Sequence, residues 1–335
     1  MKKAIHKKKS MKLSAGYFYE KEWSNFDELS EGMINWQYHC MYQLQPNAMS
    51  GKRWVLHLNT MQTNHVIRLA GLMHSPTSAK ECFNILVVKH CADKACFGDL
   101  KLQTGTILFF DDTQNYNFIN NDEIEFTGIS IKKSKINSFL PQYNELLNHS
   151  IFDTDTKLSS VCSEVYKYFR DSTKKYTAQD FIDAEEKIIS TCKELLSLQT
   201  PKLPKLTMGE KIALEIREKV FQHMDGQISV SSLAKEYKIS EQTLQNSFKS
   251  LFGFTPNKFL RLLKLNLVHQ ELVTANSKQT TVSKTAFKWG FKQMGQFGIY
   301  YKELFGENPS QTLQTSSFIE ENIKDECTLR QEEMG

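Results

Sequence analysis

The sequence predicts an α+β protein in three parts: a β-rich N-terminal domain, a helical connector and an all-α C-terminal domain that uses one two-helix unit twice. Three observations carry this. Short apolar runs, several alternating with period two, fill the stretch from Asn35 to Ile131. From Lys132 onward the apolar residues recur at helical spacing instead. Two nine-residue segments, Phe248–Pro256 and Tyr301–Pro309, nearly copy each other 53 residues apart. With 335 residues the chain is long enough for two cores.

Taken in order, residues 1–20 are a basic arm headed by Lys2, Lys3, Lys7, Lys8 and Lys9, with no apolar stretch behind them. Residues 21–150 hold the strand-like runs Arg53–Leu58, Val66–Ala70, Phe83–Val88, Thr106–Phe110 and Ile124–Ile131, rich in β-branched and aromatic residues. Asp111-Asp112 and Asn120-Asn121-Asp122 supply turns between the later runs. A small sandwich or barrel of cupin or jelly-roll type is expected there. Residues 151–204 read as the connector, with helical stretches at Leu158–Phe169 and Ala178–Leu198. The apolar face of the second (Phe181, Ile182, Ala184, Ile188, Ile189, Cys192, Leu195) suits either a homodimer or packing on its own domain. Pro201 and Pro204 then break the helix and mark a domain boundary. Residues 205–315 form the C-terminal domain, and residues 316–335 an acidic tail.

Composition narrows the function. With 40% hydrophobic and 24% charged residues the chain reads as a folded, soluble protein. It has no apolar run near the ~20 residues that cross a bilayer, so a cytoplasmic location without membrane association is expected. The seven cysteines are scattered, and His90-Cys91 with Cys96 is not completed into four metal ligands, so reduced thiols and no metal or cofactor are expected. The net charge is only +4, but between Leu206 and Leu313 there are 14 Lys+Arg against 9 Asp+Glu. A basic surplus gathered in one segment suits a phosphate-backbone partner. The phosphate loops, nucleophile elbows and HExxH zinc motifs of common enzymes are absent, so no catalytic residues are assigned.

The repeat carries the functional argument. Each copy ends a helix with an aromatic, Lys, Leu, Phe and then Gly as a left-handed cap, with Pro three residues on. Upstream, Ala234 precedes Leu244 by ten residues and Ala286 precedes Phe297 by eleven. A small residue where two helices cross, a tight turn and an anchored second helix make a helix-turn-helix. Ser231-Ser232 are read as the cap of the first short helix and Ser240 as the cap of the second. Lys238-Ile239 turn in one unit and Trp289-Gly290-Phe291 in the other. Asn257–Val273 reads as one continuous helix between the units, a connector that fixes the spacing of their second helices.

Leu233-Ala234, Phe248-Lys249, Gly253–Pro256, Leu262–Leu265, Ala286, Trp289–Phe291, Phe297 and Tyr301–Pro309 together resemble the DNA-binding domain of the AraC/XylS family of bacterial transcription regulators. The resemblance covers residues 207–313, and the family's order of sensing or dimerisation domain, connector and DNA domain matches the order read above. It implies a sequence-specific regulator, an activator, that reads two successive major grooves of double-stranded DNA. It implies base contacts from Gln242, Gln245 and Asn246, amides able to pair with adenine, joined by Gln293 and Gln296 from the second recognition helix. Ser240, Lys249, Lys292 and Lys302 are expected at phosphates. RNA polymerase, a small-molecule effector and a second copy of the chain are the further partners it implies.

Gly298 and Ile299 depart from the family, which often places a polar and a basic residue there, and this predicts weaker base reading by the second unit. Trp36, Tyr38, Trp54, Phe109 and Phe110 are candidates for an effector pocket or for plain core. Two alternatives stand beside this reading. One is an interaction protein with a degenerate helix-turn-helix domain. The other is a DNA-repair enzyme fused to such a domain, whose zinc-bound cysteine cluster Cys91 and Cys96 do not supply.

Overall fold

The computed structural model describes residues 11–24, 28, 35–46, 50–92, 95–113, 116–140, 143–147, 150–153, 155–197, 205–222, 229–275 and 280–315. Most of the lysine-rich arm, the Pro201–Pro204 break and the acidic tail lie outside the described residues. The chain divides into two compact units. The first takes residues 1–41, 49–211 and 250–253, and the second 42–48, 212–249 and 254–335.

Among the described residues the first unit is built on twelve strands: β1 (Phe18–Trp23), β2 (Trp36–Gln43) as far as Met41, β3 (Gly51–His57), β4 (Met61–Arg68), β5 (Leu72–Ser78), β6 (Cys82–Cys91), β7 (Ala95–Phe97), β8 (Leu100–Leu102), β9 (Thr106–Asp111), β10 (Phe118–Asn120), β11 (Ile124–Lys132) and β12 (Ser150–Phe152). They form a seven-stranded sheet, ordered β1-β3-β4-β11-β6-β9-β12, and a five-stranded sheet, ordered β2-β5-β10-β7-β8. The β6, β9 and β11 strands are buried at most positions because both faces of the large sheet are covered. Leu86, Val88, Leu108, Phe110, Ile124 and Phe126 share one apolar cluster with Leu72, Phe97 and Phe118 of the small sheet. The residues between them, Ile85, Val87, Ile107, Phe109, Ile129 and Ile131, face a second cluster supplied by helices.

Those helices are α1 (Lys133–Phe139), α2 (Lys157–Phe169) and α3 (Ala178–Ser197). Ala184, Ile188, Ile189, Cys192 and Leu195 of α3 pack in the same cluster as Leu158, Val161, Cys162, Val165 and Phe169 of α2. Most of the amphipathic face that suited either a dimer or its own domain is therefore covered within the unit, with Ile182 left 40% exposed. The buried Glu185 of α3 accepts a hydrogen bond from Thr60 N in the β3–β4 turn (2.5 Å), which ties the helix layer to the sheet. Residues 157–197 of the expected connector therefore pack as an outer layer on the β unit.

The second unit contains α4 (Met208–Gln222) from Ile212 onward, α5 (Val230–Glu236), α6 (Glu241–Phe252) as far as Lys249, α7 (Pro256–Val273), α8 (Val282–Lys288) and α9 (Met294–Phe305), with a further helical stretch over 309–315. Thr255 caps α7 through Lys258 N, and Pro256 occupies its first turn, where the missing N–H costs nothing. The proline of the repeat therefore opens a helix as well as ending one. Leu262, Leu265, Val268 and Leu272 of α7 bury against Ala286 of α8, Phe297, Tyr301 and Leu304 of α9, and Leu313.

This core includes a buried histidine. Tyr301 Oη donates to Thr312 Oγ1 (2.9 Å), so His269 Nδ1 is the donor in its 2.8 Å bond to Tyr301 Oη. The imidazole also stacks on Phe305, with ring centroids 4.2 Å apart. Burial lowers its pKa to about 4, so the folded unit holds it neutral. The unfolded chain takes up that proton near the ordinary value of about 6.5. The unit should thus keep its full stability above pH 6.5 and lose up to about 3 kcal/mol as the pH falls toward 4. Denaturant midpoints of wild type and His269→Phe over that range check this: only the wild type should show the loss.

Candidate nucleic-acid interface

The two helix-turn-helix units share a hydrogen-bond pattern as well as a sequence pattern. In the first, Tyr237 N donates to Leu233 O, Lys238 N to Lys235 O and Ile239 N to Ala234 O. In the second, Trp289 N donates to Thr285 O, Gly290 N to Phe287 O and Phe291 N to Ala286 O. The two turns match residue for residue. The alanines are buried, Ala286 completely, because the second helix of each unit crosses there and a larger side chain would push it away. The extra residue of the second unit falls after the turn, where Lys292 and Gln293 lie exposed ahead of α9.

The middle turn residue is left-handed in both helix-turn-helix units, Lys238 at φ 52 and Gly290 at φ 85. A side chain in that region costs about 1–2 kcal/mol. Gly290→Ala should therefore lower stability by about that amount, since its added methyl would meet only the tip of Lys264 at 3.4 Å. Lys238→Gly should not destabilise the first turn. Urea midpoints of the two variants test the pair.

Capping fixes where each helix starts. Ser229 caps α5 by accepting from Ser232 N, and Ser232 Oγ reciprocates by accepting from Ser229 N. This corrects the assignment of the cap to Ser231-Ser232, which stand inside the first turn. Ser240 caps α6 as expected, accepting from Thr243 N at 3.0 Å. Its hydroxyl is thereby held at the helix N-terminus, where the backbone N–H groups favour an anion. Thr281 caps α8 through Lys284 N.

With Leu244 and Phe248 buried, α6 turns Gln242, Asn246 and Lys249 to solvent and leaves Gln245 half-buried beside them. Gln242 Nε2 donates to Asn246 Oδ1 (2.9 Å), so the two amides are held as a pair one turn apart. On α9, Phe297 and Tyr301 are buried while Gln296 and Lys302 are exposed; Gln293 forms the exposed N-cap without a side-chain capping bond. Gly295 and Gly298 leave the outward face bare, and Ile299 is 67% exposed on it. Among the described residues Lys292 and Lys302 enter no ion pair, whereas Lys288 is held by Glu271 at 2.7 Å. Two side chains that sequence reasoning passed over also stand here: the Arg261 guanidinium of α7 lies 4.0 Å from the Tyr300 ring centroid, and Gln296 Nε2 donates to Tyr300 Oη (2.7 Å). An arginine in an apolar helix and one tyrosine of a pair gave no periodic signal of this.

A separate small cavity of about 30 Å³ lies between the two sheets of the β-rich unit, partly open to solvent. Trp36, Asn64, His74, Phe97, Phe110 and Gly128 are among its walls. A methyl group at Gly128 would come within 2.8 Å of Asn64 Oδ1, so the glycine makes room for that amide. Trp36 Nε1 donates to Ser130 Oγ and Ser130 Oγ to Asn84 Oδ1. Burial, with Arg68 and Arg53 nearby, holds the pKa of His74 well below its usual value. Of the five candidate aromatics, Trp36 and Phe110 line this cavity, Phe109 and Trp54 pack toward the helices, and the Tyr38 side chain lies outside the described residues. Among the described residues no three His, Cys, Asp or Glu side chains gather as metal ligands, and no helix is long and apolar enough to cross a membrane.

Comparison with known proteins finds a helix-turn-helix domain family matching residues 233–315. The chain is 34% identical over 86 residues to XylDLEGF operon transcriptional activator 1 of Pseudomonas putida, a match covering 26% of each chain. It is 30% identical over 96 residues to the "Probable thc operon regulatory protein" of Rhodococcus erythropolis, covering 29% of each. The chain thus spans less than a third of the length of these relatives. Among solved structures, one described as a probable AraC family transcriptional regulator from Rhodopseudomonas palustris is 27% identical, covers 32% of this chain and 97% of that one, and has a TM-score of 0.30.

Proposed function

We propose that this chain, whose residues 233–315 form a helix-turn-helix domain of the AraC/XylS family, is a sequence-specific DNA-binding transcription regulator that activates its target genes. The observation that carries the reading is the pair of hydrogen-bond-matched turns joined by one unbroken helix, Pro256–Val273. A stiff connector suits two recognition helices entering successive major grooves about 34 Å apart on one face of the duplex. In this reading Gln242, Gln245 and Asn246 meet base edges, Gln293 and Gln296 read the second groove, and Ser240, Lys249, Lys292 and Lys302 hold phosphates. No step of it is catalytic.

An effector, if small and largely apolar, would enter between the two sheets beside Asn64 and His74, where the walls must part to admit it, since the cavity of about 30 Å³ holds only a water-sized group. A metabolite present at 100 times its Kd would stabilise the fold by about 2.7 kcal/mol, which thermal-shift screening detects. RNA polymerase and a second copy of the chain complete the proposed partners. The bare face of α9 with Ile299 exposed favours, as the competing reading, an interaction protein with a degenerate helix-turn-helix domain. Genome-wide mapping of bound DNA, with transcript levels after deletion of the gene, tests the reading. Discrete sites beside genes whose transcription falls on deletion are expected; uniform or absent binding would sink it.

A further inference from the structure

On the reading that α9 enters the major groove, we propose that Tyr300 is a specificity-determining residue of the second recognition helix. Its hydroxyl and the side-chain carbonyl of Gln296 together read one adenine, while Arg261 positions the ring.

The middle of α9 is poor in outward hydrogen-bonding side chains. Gly295 and Gly298 carry no side chain, and Ile299 offers no hydrogen-bonding group. A base read by the middle of this helix must therefore be read by Gln296 and whatever is joined to it. Gln296 Nε2 donates to Tyr300 Oη at 2.7 Å, one helical turn on. That bond uses one of the amide's two N–H donors and one lone pair of the phenol. It leaves Gln296 Oε1 as an acceptor and the Tyr300 O–H as a donor, side by side. Adenine presents the complement in the major groove, an N6–H donor beside the N7 acceptor, whereas guanine presents two acceptors, O6 and N7. A lone glutamine can rotate to suit either arrangement; one tied to a phenol cannot.

The tie is held from the far side. Arg261 projects from α7, and its guanidinium lies 4.0 Å from the Tyr300 ring centroid, a close cation–π contact. Tyr300 is half-buried where Gln296 is exposed, so the ring has a wall behind it and the amide faces outward. Methyl groups at Gly295 and Gly298 would meet nothing within 4 Å. The fold itself does not require glycine there, and the bare surface lets the helix approach base edges closely. The first recognition helix uses the same device with different residues, Gln242 Nε2 donating to Asn246 Oδ1.

The test selects bound duplexes from a random library with the full-length chain, as wild type, Tyr300→Phe, Gln296→Ala and the double variant. Tyr300→Phe keeps the ring and its stacking and removes only the hydroxyl, so melting should be unchanged. The wild type should select an adenine in the part of its motif read by α9. Each single variant should weaken that preference roughly 10-fold, the double variant no further, and the rest of the motif should stay as it is. Arg261→Ala should weaken the same preference, and Arg261→Lys, which keeps a cation over the ring, should retain more of it. A wild-type chain that selects a motif left unaltered by Tyr300→Phe overturns the pairing alone. A wild-type chain that retains no duplex overturns the DNA-binding reading and the pairing with it.

Discussion

Phe297→Ala is expected to lower the stability of the second unit by about 3–5 kcal/mol and to abolish recognition by α9. Phe297 is 1% exposed, sits 4.9 Å (ring centroids) from Phe291 of the turn and 5.6 Å from Tyr301, and shares a core cluster with Ala286 and α7. Removing the ring leaves a cavity at the point where the recognition helix is anchored, and surrounding side chains refill such a space only in part. The equivalent anchor of the first helix-turn-helix is Leu244, 0% exposed. Guanidinium titration of the full chain should show the second unit unfolding at lower denaturant in Phe297→Ala. A midpoint shift worth less than about 1 kcal/mol would mean that Phe297 is not the anchor of α9.

The second large effect concerns sequence reading. Gln245→Ala and Asn246→Ala should each cost about 1–3 kcal/mol of discrimination between the selected duplex and a mismatched one. Binding to unrelated DNA should change little, because the lysines that meet phosphate remain. Asn246→Ala also releases Gln242, whose amide it holds at 2.9 Å, so Gln242→Ala and Asn246→Ala should be non-additive. Gln296→Ala should lose less in total than Gln245→Ala and Asn246→Ala combined, since α9 places fewer polar groups outward. Competition binding against single-mismatch duplexes measures all four. Unchanged discrimination in both Gln245→Ala and Asn246→Ala would remove α6 from the base-reading surface.

The parts of the fold that were legible in the sequence are those fixed by local chemistry. Gly253 and Gly306 cap helices in the left-handed region, Gly290 turns in it, and Ala234 and Ala286 mark the helix crossings. Each needs a particular residue type at a particular offset, so the repeat is readable without knowing what packs on it. The long strands were legible for the same kind of reason, from their runs of β-branched and aromatic residues. Strands β7, β8, β10 and β12 have three residues each, too few to show an alternation, and their pairing partners lie far along the chain. The amphipathic face of α3 was readable, but one helix cannot say whether a sheet or another protomer covers it. At the interface, the amides and lysines were legible as outward positions. Arg261 and Tyr300 were not, because their pairing depends on α7 and α9 lying side by side. Ser229 was missed beside Ser231 and Ser232, since all three are good caps and only the backbone decides which one stands first.

The most direct test is the binding of the full-length chain to its selected duplex as the salt concentration rises. If Lys249, Lys292 and Lys302 each neutralise a phosphate, the logarithm of affinity should fall with the logarithm of salt at a slope of about −3, a loss of roughly 40-fold between 50 and 200 mM. Lys292→Ala and Lys302→Ala should each reduce that slope by about 1. Failure to retain any duplex at 50 mM salt, or an affinity indifferent to salt, would contradict the account.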